Sequence, residues 1–333
     1  MKFHLTLAAV VATSVALTGC SATEDNAAQT AASASSEAQQ TLTLTDNVGE
    51  KQLSLPVENV AVTDNRSFEI LNDWGVEFSA APLKLVPPTL RDVINKDSVE
   101  FDLGNHKEPN LESLVAADPD VVINGQRFQR YQEDIQKLLG EDVPVLDFEP
   151  REGKDLAEEL IRHTEALGKV FGHEDDAAQL IADFEAAVER AKAAYDPSQK
   201  VMAVNTSGGE IGYIAPGKGR FFGPIFELVG LTPALEVANA SDDHEGDDIS
   251  VEAIAQANPD WILILDRDGA VAFDKEGYVP GEKLVTENAA LGGTTANQKK
   301  QVVVAPADTY TNENIITYTE VLNAMAEAFE AAK

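Results

Sequence analysis

Positive charge is scarce in this chain. Its 333 residues hold 25 lysines and arginines against 57 aspartates and glutamates, a formal net charge of -32 at pH 7. A field of that sign repels nucleic acid and anionic membrane surfaces, so neither is expected as a partner. Cysteine is almost absent: Cys20 is the only one, which excludes an internal disulfide and, once it is acylated, a cysteine nucleophile. The five histidines, at positions 4, 106, 163, 173 and 244, are too scattered for a bare metal-ion site built from converging imidazoles and acids. The chain also has no G-x-S-x-G elbow, no Walker A run and no G-x-G-x-x-G fingerprint after its first strand, so no enzyme is expected and no cofactor is implied.

What is present starts with 44% apolar residues, enough for a substantial core, in a chain whose length favours two lobes over one. Residues 1–20 read as a targeting segment: Lys2, the apolar run LTLAAVVATSVAL and then LTGC. The run is too short to span a bilayer as a mature helix. LTGC resembles the lipobox of bacterial lipoproteins, which implies lipidation at Cys20 and removal of what precedes it. Residues 21–40, SATEDNAAQTAASASSEAQQ, contain no aromatic residue and no Val, Ile or Leu, so they read as a disordered tether. The expected location is the extracytoplasmic face of the cell membrane, held by lipid alone.

From residue 41 onward, short apolar runs alternate with helical patterns. NVAVTD (59–64), DVVING (120–125), VPVLDF (143–148), KVMAVN (200–205), WILILD (261–266) and QVVVA (301–305) read as strands buried on both faces. Amphipathic segments lie between them, such as residues 155–172, with Asp155 placed to cap the start and Gly172 just past the end. The pattern predicts an α/β fold with two Rossmann-like lobes of parallel sheet. The lobes are expected at 41–172 and 199–333. A single helix of about six turns within 173–198 joins them, acidic at its start and basic near its end as the helix dipole favours.

An internal repeat supports two related lobes. Residues 110–127, NLESLVAADPDVVINGQR, align without a gap on residues 250–267, SVEAIAQANPDWILILDR. Glu112 falls on Glu252, Ala117 on Ala257, Pro119 on Pro259, Asp120 on Asp260 and Arg127 on Arg267. In a chain poor in cations, an arginine repeated at one strand exit marks two walls of a single cleft. Its neighbours Asp266 and Asp268 are expected to turn away from the cleft and brace the loop.

These features together resemble the class III substrate-binding lipoproteins of ABC importers for iron siderophores and vitamin B12. The stretches GRFFGPIFELVGL (219–231), NPDWILILDRDGA (258–270) and APADTYTNENI (305–315) resemble the branch that takes ferric catecholates. The resemblance covers residues 41–333 and implies a monomeric receptor that hands a ferric siderophore to an importer permease. Haem, cobalamin or a hydroxamate siderophore is the alternative cargo. A ferric tris-catecholate is a compact anion with aromatic edges, so its pocket calls for guanidiniums and no inward-facing acids.

The resemblance implies ligand binding by Arg127, Arg220 and Arg267, with Tyr310 beside them. Arg66, in TDNRSFEILNDWG, is the counterpart of Arg220 if the lobes are related. Because Arg127 and Arg220 are about one residue out of the family register, Gln126, Arg130 or Lys218 could take part of their role. The same resemblance makes Tyr310 and His244 candidate iron donors, although the gapless register puts Glu245 at the histidine position. Glu112 and Glu252 match the surface acids that dock to the permease, and they also suit the first turn of a helix without any partner.

Overall fold

The computed structural model describes residues 40–238, 240–241 and 243–333. The expected signal segment, Cys20 and all of the expected tether except Gln40 lie outside the described residues. Gln40 already belongs to a strand: β1 (Gln40–Thr45) pairs antiparallel with β2 (Glu50–Leu55). Asp46 makes the turn by accepting the Val48 and Gly49 amides at 2.8 and 3.0 Å, and its other oxygen accepts the Asp147 amide. A hairpin therefore precedes the first α/β unit that was expected to start at residue 41.

The first sheet comprises β3 (Val60–Val62), β4 (Ala80–Ala81), β5 (Phe101–Asp102), β6 (Val121–Asn124) and β7 (Val145–Asp147). All its pairings are parallel, in the order β5-β4-β3-β6-β7. Helices α1 (Phe68–Asp73), α2 (Leu111–Ala117) and α3 (Gln132–Leu139) supply crossovers. Two longer helices follow, α4 (Leu156–Phe171) and α5 (Glu174–Ala194). Asp155 caps α4 by accepting the Glu158 amide at 3.0 Å, and Gly172 ends it in the left-handed region at φ 71°. The 21 residues of α5 carry Glu174, Asp175 and Asp176 in the first turn and Lys192 in the last, as the dipole favours.

The second sheet holds β8 (Lys200–Ser207), β9 (Glu210–Ile214), β10 (Thr232–Pro233), β11 (Trp261–Asp266) and β12 (Val302–Val304). Its order is β10-β8-β11-β12, parallel throughout, with β9 folding back antiparallel on β8. The remaining helices are α6 (Phe222–Val229), α7 (Val251–Ala257), α8 (Arg267–Val271), α9 (Gly281–Thr286), α10 (Thr295–Lys299) and α11 (Ile315–Ala331). Among the expected strands, β3, β6, β7 and β11 are buried at every residue, and β8 at every residue but Lys200. The exception is β12, where Val304 is exposed, because this strand closes the edge of its sheet. No helix among the described residues is long and apolar enough to cross a membrane.

Strand alternation sorts the core into layers. Val60 and Val62 of β3, with Val121 and Ile123 of β6, face an inner core that also takes Leu263 and Leu265 of β11. Phe184, Ala187 and Ala191 of α5, with Val321, Leu322 and Met325 of α11, fill the same cluster, so both sheets share one apolar interior. The alternate residues Ala61 and Val122 face outward under Leu114 and Ile135, and Met202, Ile262 and Ile264 face outward under Ile254, Val285 and Ala296.

The repeat is also present in the hydrogen bonding. Asn110 and Ser250 cap α2 and α7 by accepting the Ser113 and Ala253 amides, and both helices end on a residue at φ 47°, Asp118 and Asn258. Asp120 then accepts the Asn59 amide at 2.8 Å where β3 begins, and Asp260 accepts the Lys200 amide at 2.8 Å where β8 begins. The Pro-Asp turn thus locks each repeat's strand to its neighbour in the sheet, β6 to β3 and β11 to β8, and it aims the arginine that follows at the same end of each sheet.

Candidate functional site

Side chains from both lobes meet beyond the carboxyl ends of the strands, where parallel sheets form their clefts. Arg66 follows β3, Arg127 follows β6 and Glu149 follows β7; Arg220 lies between β9 and α6, Arg267 opens α8, and Tyr310 follows β12. Three guanidiniums surround the Tyr310 ring, with carbon atoms 4.1 Å (Arg220), 5.5 Å (Arg267) and 5.9 Å (Arg127) from its centroid. The negative face of the ring attracts each cation and offsets part of their mutual repulsion. The ring is 1% exposed, and its buried hydroxyl has no hydrogen-bond partner among the described residues. A buried hydroxyl left unpaired costs about 1–3 kcal/mol, so the arrangement favours anything that supplies a partner.

The arginines differ in what else they hold. Arg220 Nε donates to Glu313 Oε1 at 2.5 Å and Nη2 donates to the Tyr310 carbonyl at 3.0 Å. Burial acts against its charge, but Glu313 and Tyr310 outweigh it and raise its pKa. Arg267 Nη1 donates to Ser207 Oγ at 3.0 Å and lies 3.4 Å from Asp268. Arg127 has no carboxylate within ion-pair distance among the described residues. Burial, reinforced by Arg220 and Arg267, pulls it below the ordinary arginine value. Arg66 turns to a structural role: Nη1 holds Glu149 at 2.7 Å and Nη2 holds Glu313 at 3.2 Å, which keeps it fully charged despite burial.

Gln126 and Phe221 are distorted to hold this geometry. Gln126 sits at φ 50° immediately before Arg127, while its amide donates to Glu149 Oε2 at 2.6 Å and its side chain donates to Glu313 at 3.3 Å. Phe221, immediately after Arg220, sits at φ 57° and stacks on Tyr318 with ring centroids 4.3 Å apart. Positive φ is unfavourable for such side chains, and strain of this kind gathers at working sites. Arg130 goes elsewhere, donating to the His106 carbonyl and lying 5.1 Å from the Tyr131 ring centroid. Lys218 is exposed.

Two expectations are corrected. The pocket was expected to lack inward acids, yet Glu313 is 6% exposed and sits among Arg66, Arg220 and Gln126. The aspartates beside Arg267 do not act alike. Asp266 turns away and braces the loop, accepting from Thr206, Gly269, Tyr278 and Gly281. Asp268 accepts the Gly208 amide but also stays beside the Arg267 guanidinium.

A family model described as periplasmic binding protein matches residues 60–309, which span both parallel sheets and Arg66, Arg127, Arg220 and Arg267, and stop just before Tyr310. The chain belongs to this family of periplasmic binding proteins. Among its relatives, the ferric-anguibactin-binding protein FatB of Vibrio anguillarum is 26% identical over 331 residues, 98% of each chain. The petrobactin-binding protein YclQ of Bacillus subtilis is 26% identical over 259 residues, 76% of each chain. The structure of the periplasmic catecholate-siderophore binding protein VctP from Vibrio cholerae superposes with a TM-score of 0.71 at 22% identity, covering 88% of this chain and all of that one. The family is one of binding proteins rather than enzymes.

Other residues of this periplasmic binding protein lie away from Tyr310. His244 is in an exposed loop, 3.7 Å from Asp243 and 3.8 Å from Glu245, and no hydrogen bond or ring contact joins it to Tyr310. Groups of His, Cys, Asp and Glu able to hold a metal ion are absent among the described residues. Glu112 and Glu252 are exposed in the first turns of α2 and α7. Three features escaped the sequence reading: Glu313, Glu149 and the approach of Arg91 to the Phe273 ring at 5.8 Å. Glu313 lies within the quoted APADTYTNENI stretch, but a carboxylate in so acidic a chain gives no sign that it will be buried.

Proposed function

We propose that the chain is an extracytoplasmic receptor that binds a ferric siderophore, of catecholate type, in this cleft and delivers it to the permease of an ABC importer. The observation that carries the reading is the ring of three guanidiniums around buried Tyr310, contributed by both lobes. Guanidiniums donate to catecholate oxygens and stack on catechol rings, and the Tyr310 ring gathers three of them at one place. The relatives FatB, a ferric-anguibactin-binding protein, and YclQ, a petrobactin-binding protein, support a ferric siderophore as the ligand. His244 has no comparable support. Glu112 and Glu252, exposed one on each lobe, are assigned to permease docking, and the lipid on Cys20 is assigned to membrane attachment.

The test is a titration with a ferric catecholate complex, followed by tryptophan emission and calorimetry. Binding at micromolar ligand is expected. Arg267→Ala should weaken it about 10–100-fold, the range for loss of a hydrogen bond to a charged group, with the melting temperature nearly unchanged. Quenching by haem or a ferric hydroxamate but not by the catecholate would overturn the ligand class. Unchanged affinity in Arg267→Ala would remove the cleft assignment.

A further inference from the structure

We propose that the cleft selects iron complexes of low net negative charge, near one unit, and that Glu313 sets this preference. The inference rests on the ligand class proposed above and concerns the charge balance of the same site. Within ion-pair distance, four guanidiniums, on Arg66, Arg127, Arg220 and Arg267, are matched by three carboxylates, on Glu149, Glu313 and Asp268, while the buried Asp64 carboxylate near Arg66 is held instead by Ser67 at 2.8 Å and His163 at 3.2 Å. One positive charge is left over, and it resides on Arg127, the member with no carboxylate partner among the described residues. His106 adds none near neutral pH, because burial, with Arg127 and Arg130 beside it, holds its imidazole below the usual histidine range.

Glu313 cannot swing away. Its oxygens accept from Arg220 at 2.5 Å, Arg66 at 3.2 Å and Gln126 at 3.3 Å. Its neighbours Asn312 and Asn314 each donate to Glu69 of α1 at 2.8 Å, so the segment that carries it is tied to the opposite lobe. A bound anion therefore meets a fixed carboxylate.

The energetics then favour modest charge. The cost of desolvating an ion grows with the square of its charge, whereas its attraction to a given set of pocket charges grows only linearly. A weakly positive pocket thus has its optimum at a small ligand charge. Removing the Glu313 charge makes the pocket more positive and moves that optimum toward more highly charged complexes.

The experiment holds ligand shape constant and varies charge. One tripodal tris-catecholate ligand is loaded with iron(III), giving a trianion, or with titanium(IV), giving a dianion, and affinities are measured on the whole protein. The wild type should bind the dianion about tenfold more tightly, the equivalent of one favourable charge step in a partly buried site. Glu313→Gln should abolish that preference, by gaining most for the trianion. Arg127→Gln, which leaves Glu313 and its partners in place, should widen the preference by a further factor of about ten. Equal or tighter binding of the trianion by the wild type would overturn the proposal, as would an unchanged ratio in either folded variant. Failure of both complexes to bind wild type and variants alike would instead overturn the ligand class itself.

Discussion

Arg66 and Arg267 belong to one residue type in one cleft, yet their neighbours give them different work. Arg66 is gripped by two carboxylates and braces the two lobes, while Arg267 keeps its guanidinium beside Tyr310. The same logic governs Glu159, which is 1% exposed and takes hydrogen bonds from Arg151 and Arg162. Burial alone would raise its pKa, but those arginines bring it from 4.5 down to about 2. The folded pKa lies below the unfolded one, so the stabilisation is full above pH 4.5 and is lost as pH falls toward 2. Glu159→Gln should be less stable than wild type by on the order of 2 kcal/mol at neutral pH, and the gap should close in acid. Urea denaturation across pH 2–7 reads this directly; a gap that stays constant with pH would show that Glu159 keeps its ordinary titration. Arg267 was legible from the sequence because its repeat partner and its context were visible. Glu313 was not, since nothing in a sequence rich in acids reveals which carboxylate will be enclosed by arginines.

Helices α2 and α7 show how a short pattern builds the same device twice. Each has a capping side chain, a glutamate in its first turn, a left-handed final residue, and a Pro-Asp turn that ties down the neighbouring strand of its sheet. The capping residues differ, Asn110 in one and Ser250 in the other, but both satisfy an amide that the helix leaves unpaired. Asn110→Ala and Ser250→Ala should each lower stability by about 1 kcal/mol, measured by chemical denaturation, and leave ligand affinity unchanged. A binding defect in either would mean that the cap also positions the arginine at the far end of its repeat. The strands expected from apolar runs formed where their residues were buried on both faces. The β1–β2 hairpin, β4, β5, β9 and β10 were missed: β4, β5 and β10 have two residues each, the hairpin is half-exposed, and a glycine interrupts the short apolar pattern of β9.

The two sheets are not independent folding bodies. The inner faces of both, together with α5 and α11, enclose one apolar cluster, and Arg190 of α5 holds Glu330 of α11 at 2.8 Å. Across the lobes, Thr89 of the first donates to Asp308 of the second, and Glu69 of the first accepts from Asn312 and Asn314 of the second. Calorimetry should therefore give one unfolding transition with equal calorimetric and van't Hoff enthalpies. Two resolved transitions would show that the shared interior does not couple the lobes. The expectation of one helix between two lobes accounts for the covalent link at α5. It does not reveal that the last helix of the chain returns to pack beside that link, a contact between segments far apart in sequence.

Composition, periodicity and the internal repeat determined the α/β class, the duplicated lobes, the long helix and the strand-exit arginines. These depend on local patterns, which residues close in sequence impose on one another through burial and capping. Only the tertiary structure decided which arginines stay open and which are neutralised. That outcome depends on carboxylates brought in from distant segments, such as Glu149 and Glu313 onto Arg66. Coulomb energy follows distance in space and not separation along the chain, so the charge of the cleft became readable only once the chain had folded around it.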